Sequence, residues 1–134
     1  MLLCGTNPMR LYVYEEGLAR FATEKYEPPA KSNIKKMCMH LTNYAINKKN
    51  PKYIFNTSVH NMHTGHKRTL TSVFKNIEKR GLNVQAMKKK IDDVLVKTII
   101  MGQPLVSHQY KFAQPDDEYR NMCFHILGVD VMID

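Results

Sequence analysis

The stretch Cys123-Phe-His-Ile-Leu-Gly-Val-Asp-Val-Met-Ile-Asp134 constrains this chain more than any other. It is apolar and rich in β-branched residues, so it reads as a strand, buried or nearly so. On the two-residue period of a strand, Leu127, Val129, Val131 and Ile133 share one face; Ile126, Gly128, Asp130, Met132 and Asp134 share the other. Asp130 is out of place in that setting. A carboxylate between Gly128 and Met132 is costly to bury unless an Arg or Lys pairs with it or a metal binds it.

The remaining elements are shorter. Arg10-Leu-Tyr-Val-Tyr14 favours a strand, Glu15-Glu16-Gly17 punctuates it, and Leu18-Ala-Arg-Phe-Ala-Thr23 resumes as a second strand, so a hairpin is the economical reading. On the second strand Arg20 shares a face with Leu18 and Ala22. Its guanidinium cannot shed its charge and must reach solvent, a carboxylate or an anionic ligand. Residues 24–36, with Pro28-Pro29, read as a loop, and Met37–Leu41 as a short strand. Residues 53–66 lack a clean period and read as a long loop. Thr69 or Thr71 can cap a helix running to Arg80 with Val73, Phe74 and Ile77 on one face and Gly81 as its stop. A longer helix from about Val84 to Met101 places Met87, Ile91, Val94, Leu95, Thr98 and Ile99 at helical spacing, with Gly102-Gln-Pro104 ending it. Lys88, Lys89 and Lys90 fan around that helix as a solvated face. Together these predict an α/β (α+β) chain with an antiparallel-rich sheet, two packed helices and a thin core. Both ends read as cuts through a larger fold.

Composition excludes several classes. With 134 residues and 43% apolar content the chain suits one domain or part of one and does not read as disordered. Its apolar runs are far short of the roughly 20 residues that span a bilayer, and Met1-Leu-Leu-Cys4 is too short for a secretory signal. Cys4, Cys38 and Cys123 form no C-x-x-C pair, which argues against a disulfide framework or zinc ribbon and for a reducing cytosol. Twenty Lys+Arg against 12 Asp+Glu give a net charge of +8, which serves solubility or an acidic partner. His60-x-x-His63-x-x-His66 invites a zinc reading, but Asn61 and Gly65 argue against the helix that would gather the three imidazoles. Asn56-Thr57-Ser58 matches a glycosylation sequon without a secretory signal to make it relevant. The common phosphate-loop and hydrolase-elbow signatures are absent.

Three strings carry a family resemblance: Leu11-Tyr-Val-Tyr-Glu-Glu-Gly-Leu-Ala-Arg-Phe-Ala-Thr-Glu-Lys-Tyr26, Met39-His-Leu-Thr-Asn-Tyr-Ala-Ile-Asn-Lys48 and the stretch from Cys123 to Asp134. Gly65-His-Lys-Arg68 and Val96-Lys-Thr-Ile-Ile100 follow in the same order. Over essentially its whole length the chain resembles the tubulin tyrosine ligase-like family, most closely the branch that adds glutamate to tubulin. The resemblance implies that residues 1–134 are part of an ATP-grasp catalytic domain, in which two α/β lobes enclose ATP and magnesium. The implied reaction makes an acyl-phosphate on a tubulin glutamate, which the amine of a free amino acid attacks to form an amide.

Residue by residue, Arg20 corresponds to the arginine that holds the incoming amino acid, a carboxylate clamp suited to a guanidinium. Thr42 and Asn43 match a pair that contacts ATP, where short neutral side chains can bond phosphate or ribose. Tyr44 and Lys48 match positions lining the amino-acid site, and Asp130 matches a magnesium-binding aspartate, a hard oxygen ligand for Mg2+. Ala45 falls where some relatives have serine, and His125 where many carry an acid or amide. The implied partners are the acidic tails of tubulin and free L-glutamate, with no nucleic acid and no membrane; the implied setting is the cytoplasm and cytoskeleton, with cilia and basal bodies. The resemblance also places the other lobe, with its phosphate-holding lysines, before Met1, and the remaining magnesium ligands after Asp134, so this stretch alone is expected to be inactive. Competing readings are a glycine- or tyrosine-adding enzyme of the same family and a non-catalytic microtubule-binding module.

Overall fold

A computed structural model describes residues 1–56 and 63–133. The chain divides into two compact units, Met1–Glu15 with Asn83–Asp134, and Glu16–Leu82.

In the first unit, β1 (Leu2–Cys4) is the middle strand of an antiparallel sheet, flanked by β2 (Arg10–Tyr12) and β5 (Phe124–Ile126). Leu3 stands opposite Leu11 on one side and His125 on the other. The β1–β2 connection turns at Gly5, whose φ of +63° suits glycine and where a Cβ would stand only 2.9 Å from the Arg120 carbonyl oxygen. The Gly5 and Thr6 N–H groups donate to the carbonyls of Cys123 (3.3 Å) and Arg120 (2.9 Å), pinning that turn to the approach to β5.

The long helix of this unit, which runs Val84–Ala113, begins where the Asn83 side chain accepts from the Ala86 N–H at 2.9 Å. It does not stop at Gly102-Gln-Pro104 as the sequence suggests but carries Pro104 in its interior. An interior proline costs about 3 kcal/mol in helix propensity, so contacts on both sides must hold the helix together. Gln103 donates to the Thr6 carbonyl at 3.3 Å. Beyond it, the Tyr110 hydroxyl donates to Asp117 and accepts from the N–H groups of Met122 (3.0 Å) and Cys123 (3.3 Å). Of the expected apolar face only Leu95 is fully buried; Met87, Ile91 and Ile99 are half-buried, and Val94 and Thr98 are exposed.

The Tyr110 knot carries a pH prediction. Burial, followed by the bond to the Asp117 carboxylate, pushes the Tyr110 hydroxyl from its ordinary 10 up to about 12. The folded value is the raised one, so the stabilisation is complete below the unfolded value and is lost as pH climbs through the folded one. A tyrosinate absorbance titration is expected to show a tyrosine ionising near pH 12 that is missing from Tyr110→Phe. A difference curve centred at pH 10 would remove the knot.

The strand expected over 123–134 is only Phe124–Ile126, and all three residues are exposed. A strand lasts only as far as its ladder. The Met1 amino group donates to the Leu127 carbonyl (3.0 Å) and the Leu127 N–H returns to the Met1 carbonyl (2.8 Å), the last rung of the ladder among the described residues. Val129, Val131, Met132 and Ile133 follow outside any described strand and exposed, which corrects the expectation of burial.

In the second unit, β3 (Leu18–Arg20) pairs antiparallel with β4 (Lys67–Thr69), with Arg20 opposite Lys67. The expected hairpin is therefore corrected: its two strands lie in different sheets. Glu16 explains the change, because its carboxylate accepts from the N–H groups of Gly17 (2.9 Å) and Thr71 (3.1 Å), tying the turn to the helix after β4. Burial works to raise the Glu16 pKa, but these backbone bonds outweigh it and hold it below the usual value.

That helix, α3 (Leu70–Lys79), is close to the one expected: Thr69 caps it by accepting from the Ser72 N–H at 3.4 Å, and Gly81 follows with φ +80°. Phe74 is buried. Met37–Leu41, read as a strand, is instead the one-turn helix α1 (Met37–His40). The buried Asn33 prepares it, accepting from the Ala30 N–H (2.8 Å), donating to the Pro28 carbonyl (3.0 Å) and receiving the Lys36 N–H at its own carbonyl (2.8 Å). A second single turn, α2 (Tyr44–Asn47), follows. Among the described residues the buried apolar side chains are Met39, Phe74 and Leu95, as thin a core as the sequence suggests, and no helix is long and apolar enough to cross a membrane. The helix from Val84 is α4 in chain order.

Candidate functional site

Five of the six residues singled out from the sequence fall in the second unit. Arg20 closes β3 as an exposed side chain with Lys67 opposite it in the ladder, and Arg68 stands opposite Ala19. The Arg68 guanidinium is held in place, 4.8 Å from the Phe21 ring centroid, with Nε donating to the Gly65 carbonyl at 2.8 Å. Thr42 and Asn43 form the turn between α1 and α2. Asn43 sits at the N-cap of α2, yet its side chain makes no capping bond; its carbonyl takes the Ile46 and Asn47 N–H groups instead. An asparagine amide not engaged in its own helix cap can serve a ligand.

Tyr44 opens α2 and Lys48 follows it. The Lys48 Nζ lies 5.2 Å from the Tyr44 ring centroid, and Tyr44 meets Tyr53 edge-on at 5.8 Å. Tyr53 in turn stacks on His66 at 5.2 Å and contacts Phe55 at 4.8 Å. Burial, and secondarily the neighbouring Tyr44, raise the Tyr53 hydroxyl pKa. The result is an aromatic platform with a cation over its edge, a surface that suits an anion carried on a flat or apolar body.

What joins this platform to the Arg20 strand was not singled out from the sequence. Asn47 is fully buried, with 0% exposure. Its Oδ1 accepts from both the Thr23 N–H (2.9 Å) and the Thr23 hydroxyl (3.0 Å), while its Nδ2 donates to the Leu41 (2.7 Å) and Asn43 (3.1 Å) carbonyls. The available signal was an asparagine between Ile46 and Lys48 in a turn whose neighbours are all used. A second link runs from Asn50 Nδ2 to the Glu24 carboxylate at 3.3 Å. A separate groove of about 460 Å³, lined by Phe21, Arg68, Val73, Asn76, Ile77, Lys79 and Arg80, holds none of the residues expected from the sequence.

Asp130 lies in the first unit, exposed, in the segment after β5. It offers one hard oxygen donor group, and magnesium requires several. Among the described residues no group of three or more His, Cys, Asp or Glu could hold a metal. For the histidine run, His63 Nδ1 lies 2.8 Å from the Ser72 hydroxyl and His66 Nδ1 accepts from the Ile54 N–H at 3.0 Å, while His60 lies outside the described residues, as do Thr57 and Ser58 of the sequon.

Comparison with known proteins places these observations. The model of the Tubulin-tyrosine ligase family matches residues 1–134. A probable beta-tubulin polyglutamylase of Tetrahymena thermophila is 54% identical over 134 residues, covering 100% of this chain and 11% of that protein. The human tubulin polyglutamylase TTLL6 is 38% identical over 134 residues (100% of this chain, 14% of that protein), and the Caenorhabditis elegans tubulin polyglutamylase ttll-11 is 41% identical over 127 residues (95% and 18%). The chain thus spans between 11% and 18% of the length of these relatives.

Proposed function

The chain belongs to the tubulin-tyrosine ligase family, and from that premise we propose that it forms part of an ATP-grasp ligase that adds glutamate to glutamate side chains in tubulin C-terminal tails. Ligases of this family use ATP. The observation that carries the reading is that relatives named as tubulin polyglutamylases match this chain from end to end.

In this reading Arg20 clamps the α-carboxylate of free L-glutamate, for which a forked guanidinium is the suited donor. Lys48 supplies the further positive charge that the second carboxylate of glutamate, absent from glycine, calls for. Tyr44 walls the amino-acid site. Thr42 and Asn43 bond the nucleotide, the Asn43 amide making no cap bond to its own helix. Asp130 would be one oxygen ligand of a magnesium ion, which would supply positive charge to offset that of the ATP phosphates. The net charge of +8 favours approach of the acidic tubulin tail, and the setting is the cytoplasmic cytoskeleton, including cilia and basal bodies.

A chimera tests this: the Tetrahymena relative with its matching stretch replaced by this chain. Given tubulin, ATP and labelled glutamate, glycine or tyrosine, the chimera is expected to incorporate glutamate, and less of it as ionic strength rises. Incorporation of glycine or tyrosine, or of nothing while the intact relative is active, would reject the reading.

A further inference from the structure

We propose that Asn47 is a positioning residue that couples the two ends of the site, fixing Arg20's strand with one side of its amide and the Thr42–Asn43 turn with the other. This rests on the ligase reading above. A primary amide has two N–H donors and an oxygen with two lone pairs, and Asn47 uses all of them: two bonds accepted from Thr23, one donated to Leu41 and one to Asn43. The carbonyls it holds belong to the residue before Thr42 and to Asn43 itself, so Nδ2 sets the backbone that aims both nucleotide-contacting side chains. Thr23 lies three residues beyond Arg20, and Oδ1 holds it there by backbone and side chain together. A one-turn helix has no need of a buried amide at its last position; an alanine would serve the turn equally well. An aspartate could not donate to two carbonyls, and a serine could not span from one segment to the other.

The experiment uses the chimera with substitutions that cut one side at a time, reading KM for ATP and for glutamate separately from kcat. Asn47→Asp keeps acceptors for Thr23 and loses the donors to the turn; it is expected to raise KM for ATP about tenfold, the worth of roughly one hydrogen bond, with a smaller effect on glutamate. Thr23→Val removes the hydroxyl donor and is expected to raise KM for glutamate about fivefold with a smaller effect on ATP, and Thr23→Ser to restore it. A merely structural amide would lower kcat, by reducing the folded fraction, and leave both KM values in place. That pattern, or equal shifts from both substitutions, overturns the proposal while leaving the ligase reading intact. Should Asn47→Asp fail to fold, the Thr23→Val and Thr23→Ser pair still decides. A chimera that incorporates no amino acid rejects the ligase reading, and this proposal with it.

Discussion

Alanine at Arg20 is expected to lower kcat/KM for glutamate in the chimera roughly a hundredfold, about 3 kcal/mol of lost transition-state binding. The size follows from the chemistry being removed. A guanidinium gripping a carboxylate makes two parallel charge-assisted bonds, and cutting it away leaves the carboxylate with neither. Lys67, opposite in the ladder, retains a positive charge nearby but not the fork, so it cannot substitute for the geometry. Arg20→Lys should recover part of the loss through charge alone. KM for ATP should stay within about twofold, because the proposed nucleotide contacts lie on the Thr42–Asn43 turn and not on β3. A fall of less than about threefold for Arg20→Ala would mean that another group holds the amino acid.

The second large effect concerns this chain purified by itself, which is expected to show no cooperative unfolding transition and no detectable glutamylation of tubulin. Folding must offset about 1–2 kcal/mol of backbone entropy per ordered residue, and a fully buried large apolar side chain returns about 1.5–3 kcal/mol. Met39, Phe74 and Leu95 are too few for that, while Met101 (81% exposed), Phe112 (83%) and Met132 (84%) lie open to water. Exposed apolar surface of this extent seeks cover. Calorimetry should give a broad signal without a peak, and sedimentation should show association that grows with concentration. Activity should be nil on separate grounds, because Asp130 alone would hold magnesium weakly. A sharp monomeric transition would overturn the first expectation, and glutamylated tubulin the second.

How much of this was legible in the sequence depended on how far apart the deciding groups lie. Helix α3 was readable because its signals are local: Thr69 caps it, Gly81 ends it, and Val73, Phe74 and Ile77 repeat at helical spacing. Strand pairing was not, since β2 answers to β1 and β3 to β4, and nothing in Arg10–Thr23 announces those partners. The apolar alternation after Cys123 identified a strand-forming segment, but the described ladder takes in only Phe124–Ile126, since pairing depends on a partner that the local pattern does not name. Pro104 read as a stop because its local cost is real; the anchors on either side, at Gln103 and Tyr110, come from other parts of the chain. Met37–Leu41 went wrong in a similar way, its turn being organised by Asn33. Among the candidate site residues, Arg20, Thr42, Asn43, Tyr44 and Lys48 were singled out through family likeness; they fall in one unit and Asp130 in the other. The amide that joins their two segments was missed, because its role exists only once Thr23, 24 positions away, is folded against it.

The division of the chain into an uninterrupted middle unit and an outer unit made from both ends has a consequence for biosynthesis. Residues emerge from the ribosome in order. All the partners of the middle unit, β3 through α3, are available once Leu82 is out, so it can assemble while α4 is still being made. The outer unit has no such freedom. β1 can meet β2 at once, but its other edge waits for β5, and the Met1 amino group for Leu127, across 126 positions of chain. Until then a two-stranded ribbon, marginal by itself, carries an open edge while the middle unit and α4 are made. Of these strands, the one made first is among the last to gain both its neighbours.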